Sequence, residues 1–190
     1  MRVLAVTVVY LPDPELLLRS VSSYAKAVET VLVWRNSPLS DTLEADLRAV
    51  GNIEFRGDGT NAGIAAALNA ASREAASLGY DAVLTMDQDS VWHDAGAYLR
   101  LTAGKDAPEG FFAPAVFAPD KAPDPLSVSP DFTPVPTAFT SGMLVPLAVI
   151  DKVGGWCEDF KVDGVDNEFC LHARSLGIPL WRTGGGWLEH

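Results

Sequence analysis

The sequence predicts an α/β fold, a mostly parallel central sheet flanked by helices, and three observations carry that expectation. Short aliphatic and β-branched runs at 3–9, 30–34 and 81–86 have the continuous apolar character of strands covered on both faces. Between them lie stretches with apolar residues at three- and four-residue spacing, so that strand and helix alternate as in a sheet wound from right-handed crossovers. The strand ends, Val9-Tyr10, Trp34-Arg35-Asn36 and Asp87-Gln88-Asp89, are polar or unusual in apolar surroundings. Ligands collect at such carboxyl ends.

Each element has its own signal. After the strand at 3–9, Asp13 and Pro14 open a helix on which Leu16, Leu17, Val21, Tyr24 and Val28 share a face. Residues 30–34 form a second strand, 39–50 a helix with Leu43 and Leu47 on one side, and 53–55 a third strand. The turn-rich Arg56-Gly57-Asp58-Gly59 precedes an alanine-rich helix with Ile64, Leu68, Ala71, Ala75 and Leu78 facing inward. Residues 81–86 are the fourth strand. Beyond about residue 105 the prolines at Pro108, Pro114, Pro119, Pro123, Pro125, Pro130, Pro134 and Pro136 exclude crossover helices. A strand over 111–117, a mobile loop over 119–136, a strand over 141–145, a helix near 147–152 and a last helix over 165–176, closed by Gly177, complete the reading.

With 190 residues, 48% of them hydrophobic and 21% charged, the chain builds one core, and 1–190 reads as a single domain. Its net charge of -11 repels phosphate backbones and anionic lipid, so nucleic acid is not an expected partner and membrane association is at most peripheral. Cys157 and Cys170 lack the spacing of a zinc site and read as reduced and buried. The apolar run at 3–11 is too short to span a bilayer and lacks a cleavage pattern, so a cytoplasmic location, including the inner face of the cell membrane, is expected.

Three segments hold residues suited to chemistry. Asp87-Gln88-Asp89 places two carboxylates beyond a buried strand, a pattern that suits a hard divalent cation shared with a diphosphate and equally a solvated turn. Asn61-Ala62-Gly63-Ile64 combines an N-cap with small residues, which admits either an anionic ligand or close helix packing. Asp163, Asp166 and Glu168 crowd the start of the last helix, where the macrodipole favours acids; one facing a crevice could also serve as a general base. Spacing does not choose among them. His93 and His172 have no nucleophile partner, and a hydrolase triad is unsupported. The terminal Leu188-Glu189-His190 reads equally as native sequence or as the start of a purification tag, and no role is assigned to it.

In order and spacing, these segments resemble the inverting glycosyltransferases of family 2, specifically the rhamnosyltransferase-like branch with the GT-A, Rossmann-like fold. The resemblance rests on Val8-Val9-Tyr10-Leu11-Pro12-Asp13, the Asn61 to Asn69 helix start, Met86-Asp87-Gln88-Asp89-Ser90, Thr140-Ser141-Gly142, Gly154-Gly155-Trp156-Cys157-Glu158-Asp159-Phe160, and Asp163 to Leu171 with Arg174 and Gly177. It implies a nucleotide-sugar-binding half at about 1–104 and an acceptor-side half at about 105–190. Val9, Tyr10 and Asn36 would lie near base and ribose, and Asn61 near the donor. Asp87 would orient the ribose or assist the metal, and Asp89 would bind Mg2+ or Mn2+. Asp166 would be the base, flanked on the acceptor side by Asp163, Glu168 and Trp156, the last as an apolar platform for a sugar ring. The implied donor is a dTDP- or UDP-linked sugar, rhamnose among them, and the acceptor a saccharide or lipid-linked one in surface polysaccharide synthesis.

The chain departs from that family where Val9 and Leu11 replace its usual Thr and Asn, and where Arg35 replaces an acidic residue. It also stops at His190, earlier than many members, which carry a further C-terminal region. The competing reading from another class is a non-catalytic sugar-nucleotide-binding or scaffold protein retaining the fold. A nucleotidyltransferase would need a glycine-rich phosphate loop after the first strand, where Tyr10-Leu11-Pro12-Asp13 offers none.

Overall fold

The computed structural model describes residues 1–119, 121 and 129–190. Its first half follows the expected alternation: β1 (Val3–Val9), α1 (Pro14–Tyr24), β2 (Thr30–Arg35), α2 (Asp41–Val50), β3 (Ile53–Arg56), α3 (Ile64–Ser77) and β4 (Ala82–Met86). Local chemistry sets the helix starts. The Asp13 carboxylate accepts from the Leu16 N–H at 2.9 Å with Pro14 in the first turn, and Ser40 caps α2 through the Leu43 N–H at 3.2 Å. Helix α3 ends at Ser77, so Leu78, expected on its inner face, is instead 55% exposed at the C-cap.

Strands β3, β2, β1 and β4 lie side by side and parallel. β1 is flanked by β2, with Val9 opposite Arg35, and by β4, with Thr7 opposite Met86. These registers bring three carboxyl ends to one edge. Alternation along β1 splits the core into two layers: Val3, Ala5 and Val9 pack with Leu17, Val21 and Leu47, whereas Leu4 and Val6 pack with Leu68, Ala71 and Phe169. Each fully buried leucine among them contributes about 1.5–3 kcal/mol. Within the first layer the Tyr24 hydroxyl is hydrogen-bonded to Thr7, and burial pushes its pKa upward.

The second half turns the sheet mixed. It contains β5 (Val91–His93), α4 (Ala95–Thr102), β6 (Phe111–Phe117), β7 (Thr133–Val135), β8 (Met143–Pro146), α5 (Leu147–Val153), α6 (Val165–Ser175) and β9 (Leu180–Glu189). β8 pairs antiparallel with β4 and β6, and β6 runs parallel to β9, whose other neighbours β5 and β7 are antiparallel. The expected loop over 119–136 contains β7; its residues 120 and 122–128 lie outside the described residues. No helix among the described residues is long and apolar enough to cross a membrane. Cys170 is buried, and burial raises its thiol to about 11; Cys157, also expected to be buried, is only partly so.

β9 has no counterpart in the sequence reading, which assigns no element beyond Gly177; its Gly184-Gly185-Gly186 run is weak strand sequence. Here the glycines lie in a bulge: Pro114 faces Thr183 while Ala115 faces Trp187. A Cβ on Gly186 would stand 2.3 Å from the Asp94 carbonyl oxygen at the start of α4. Gly186→Ala is therefore expected to cost about 2 kcal/mol through overpacking, lowering Tm by about 6 °C in thermal denaturation. An unchanged Tm would show that α4 and β9 are not in close contact.

Candidate functional site

Chain direction and register put Val9-Tyr10, Arg35-Asn36 and Asp87-Gln88-Asp89 at the same edge. The loop after β4 is fastened from several sides. The Asp87 N–H donates to Ser141 Oγ at 3.2 Å, and Ser20 Oγ of α1 donates to the Ser90 carbonyl at 2.6 Å. From the second half, the Gly142 N–H donates to the Thr85 carbonyl at 2.7 Å, so the Thr140-Ser141-Gly142 segment abuts the end of β4.

Onto this loop β9 delivers a residue to which the sequence assigned no role. The His190 N–H donates to the Phe117 carbonyl at 3.0 Å, and its Nδ1 lies 2.8 Å from Ser90 Oγ and 3.7 Å from Asp89 Oδ1. Asp87, Asp89 and His190 each offer one ligand atom, all within 4.8 Å of one another. Burial raises Asp87 to about 6; His190 counters the shift, while Asp89 and Asp166 add to it. Two carboxylates therefore share a single imidazole, with the charge of a third, Asp166, reaching Asp87. Two carboxylates and an imidazole suit Mn2+, and the carboxylates alone suit Mg2+.

The other expected residues are unevenly placed. Asp166, in the first turn of α6, is partly buried, and its charge reaches both Asp87 and Cys170. It accepts from the Asn167 N–H at 2.7 Å. Asp163 is exposed before the Gly164 cap. Glu168 is partly buried: its Oε1 lies 3.7 Å from His172, and its Oε2 is buried without a partner among the described residues. Tyr10 is 50% exposed, as a ligand contact requires.

Three expectations need correction. Trp156 offers no platform: it is 3% exposed and stacks on Phe169 at 4.8 Å, within the core. The Val9 side chain is likewise fully buried, and its carbonyl accepts the Asn36 N–H at 2.8 Å. Asn61 does not cap α3, whose cap is Gly63; it is exposed, and its Oδ1 accepts the Gly63 N–H at 3.0 Å. The Asn36 amide is 3% exposed, donating to the Gly63 carbonyl at 3.2 Å and accepting from Ala62 at 3.3 Å. Arg35, in the place of an expected acid, points its guanidinium at the Gly57 carbonyl (2.8 Å) and Glu44 (2.7 Å), bracing the turn after β3.

No protein-family model matches this chain, and no curated protein matches it by sequence. Solved structures match it by fold. The crystal structure of GalNAc-T7 with UDP, GalNAc and Mn2+ superposes with a TM-score of 0.78 over 100% of this chain, at 11% identity. Staphylococcus aureus TarS 1-349 matches at 0.68 with 18% identity, and its complex with UDP-GlcNAc at 0.72 with 15% identity, each over 98% of the chain. The chain spans 43%, 60% and 58% of these structures' lengths, respectively. Its architecture is the GT-A glycosyltransferase fold, a mixed α/β sheet with flanking helices.

The raised carboxyl of Asp87 ties the stability of the fold to pH. Its folded pKa of about 6 exceeds the unfolded value, so the stability from holding this proton is complete at low pH and lost as pH rises through 6. Above that pH the metal-free chain bears an unfavourable charge that a cation would relieve. Asp87→Asn is therefore expected to raise the metal-free Tm at pH 7.5 and to remove any Mn2+-induced rise. In the unmodified chain, Mn2+ affinity should fall about tenfold per pH unit below 6, where a proton competes. Thermal shift with and without Mn2+, from pH 5 to 8, checks both; a rise that persists in Asp87→Asn contradicts the assignment.

Proposed function

We propose that this chain is a metal-dependent inverting glycosyltransferase that moves a sugar from a nucleoside-diphosphate donor to a saccharide or lipid-linked acceptor. The observation that carries the reading is the meeting of Asp87, Asp89 and His190 at the carboxyl edge of the sheet, with Asp166 near enough to shift Asp87. Asp87, Asp89 and His190 would hold Mn2+ or Mg2+, and the bound cation would neutralise the donor diphosphate and the charge that develops on it as it leaves. The matching structures with bound UDP and UDP-GlcNAc support a UDP-linked donor. Rhamnose and a dTDP donor rest on the sequence resemblance to the rhamnosyltransferase-like branch of family 2.

Asp166 accepts the proton of the acceptor hydroxyl. The acceptor oxygen bonds to the anomeric carbon from the face opposite the leaving group, the bond from that carbon to the diphosphate oxygen breaks with its electron pair, and configuration inverts. Residues 1–104 bind the donor and 105–190 present the acceptor, with His190 reaching back across that division. Exposed Asp163 and partly buried Glu168 flank the base on the acceptor side. Tyr10 and exposed Asn61 line the donor side, and Asn36 braces it by fastening β2 to the loop before α3. We place the reaction at the cytoplasmic face of the cell membrane, in surface polysaccharide synthesis.

Asp166→Asn separates this reading from a sugar-nucleotide-binding protein without catalysis. It should lower kcat by about 10²–10⁴-fold while donor affinity stays within about threefold, read by donor turnover and by calorimetry on the same preparation. Turnover at the unmodified rate would refute Asp166 as the base. Donor binding without turnover in the unmodified chain, across saccharide and lipid-linked acceptors, would favour the non-catalytic reading.

A further inference from the structure

Gln88, between the two aspartates, reaches from the end of β4 to the end of its neighbour β1. Its Oε1 accepts the Tyr10 N–H at 2.9 Å and its Nε2 donates to the Tyr10 carbonyl at 3.2 Å. Bonding both backbone groups of one residue fixes that residue as a neighbouring strand would. The segment so held is otherwise disfavoured. Leu11 has φ +45°, a left-handed conformation that costs a residue with a Cβ about 1–2 kcal/mol, and its N–H is retained by the buried Ser37 hydroxyl at 2.8 Å. Tyr10 and Leu11 meanwhile stand 50% and 71% exposed. Two large apolar side chains are thus kept in solvent, on a strained backbone, by polar side chains from the ends of β4 and β2. Strain held in this way at the carboxyl edge of a sheet provides a preformed apolar surface for a planar ring.

We propose that Gln88 is a positioning residue that locks Tyr10 and Leu11 into a shelf for the base of the nucleoside diphosphate, and so sets the distance between that base and the cation held by its neighbours Asp87 and Asp89. The proposal rests on the nucleotide-sugar reading of the site. It explains how a chain with Arg35 in place of an acid grips a base: through a fixed apolar face. Gln88 acts on the nucleoside through Tyr10, and the diphosphate and cation do not feel its loss.

The test is calorimetric titration of the full chain with Mn2+ alone, with Mn2+ and pyrophosphate, and with Mn2+ and whichever of UDP, dTDP and GDP the unmodified chain binds most tightly. Gln88→Ala should weaken the nucleotide about tenfold and leave Mn2+ and pyrophosphate within about twofold. Tyr10→Ala should give a similar loss, and in the double variant the Gln88 change should add nothing further. Gln88→Met keeps the length of the side chain without either hydrogen bond to Tyr10 and without a new charge beside Asp87 and Asp89; it should show the same selective loss, and it carries the test if the alanine variant fails to fold. Equal losses for pyrophosphate and nucleotide, or full additivity with Tyr10→Ala, would overturn the proposal. Nucleotide binding unaffected by either Gln88 variant overturns it alone, whereas an unmodified chain that binds none of the three nucleotides removes the nucleotide-site reading as well.

Discussion

The parallel pairing of β1 with β2 on one side and β4 on the other is the constraint from which the rest follows. Because all three strands run the same way, the residues that leave their ladders, Tyr10, Asn36 and Asp87, emerge on one edge. The apolar strands are secured by burial on both faces, so the core sets the edge at which the polar residues after them emerge. This is how the fold tolerates Asp87 beside Asp89 and Asp166, a grouping that carboxylates in water would avoid. Its mark is an Asp87 carboxyl raised to about 6.

The second half of the chain adds an imidazole to that grouping. β9 lies against β6 and β5, and its bulge lets the strand pass α4 before it presents His190 beside Ser90 and Asp89. The imidazole is a cationic or metal-ligating partner for the carboxylates, supplied from the far end of the sequence. Stability at this edge is therefore conditional: the loop is well fastened, while the like charges it carries oppose one another.

Much of the first half was legible in the sequence because local and tertiary preferences agree there. Continuous aliphatic runs became β1, β2 and β4, and Asp13-Pro14 and Ser40 mark their helix starts. The remainder was hidden for identifiable reasons. β9 is interrupted by three glycines, two of which, Gly185 and Gly186, lie where a Cβ would meet Leu101 and Asp94, far away in sequence. α4 begins at Asp94 in a left-handed conformation, and its preceding strand spans only Val91–His93. Trp156 sits beside two glycines and looks accessible, yet reciprocal bonds between Asn69 and its backbone turn it onto Phe169. Asp87 and Asp89 were readable from their place after a strand. His190 was not, since it lies about a hundred positions from Asp89 and the Leu188-Glu189-His190 it ends reads equally as the start of a purification tag.

The measurement closest to the central claim is calorimetric titration of the chain at pH 7.5 with UDP, dTDP and GDP, each with and without Mn2+. At least one nucleoside diphosphate should bind with Mn2+ present and far more weakly without it, because Asp87, Asp89 and Asp166 otherwise repel the diphosphate. Binding of equal strength in both conditions, or of none of the three in either, would contradict that claim.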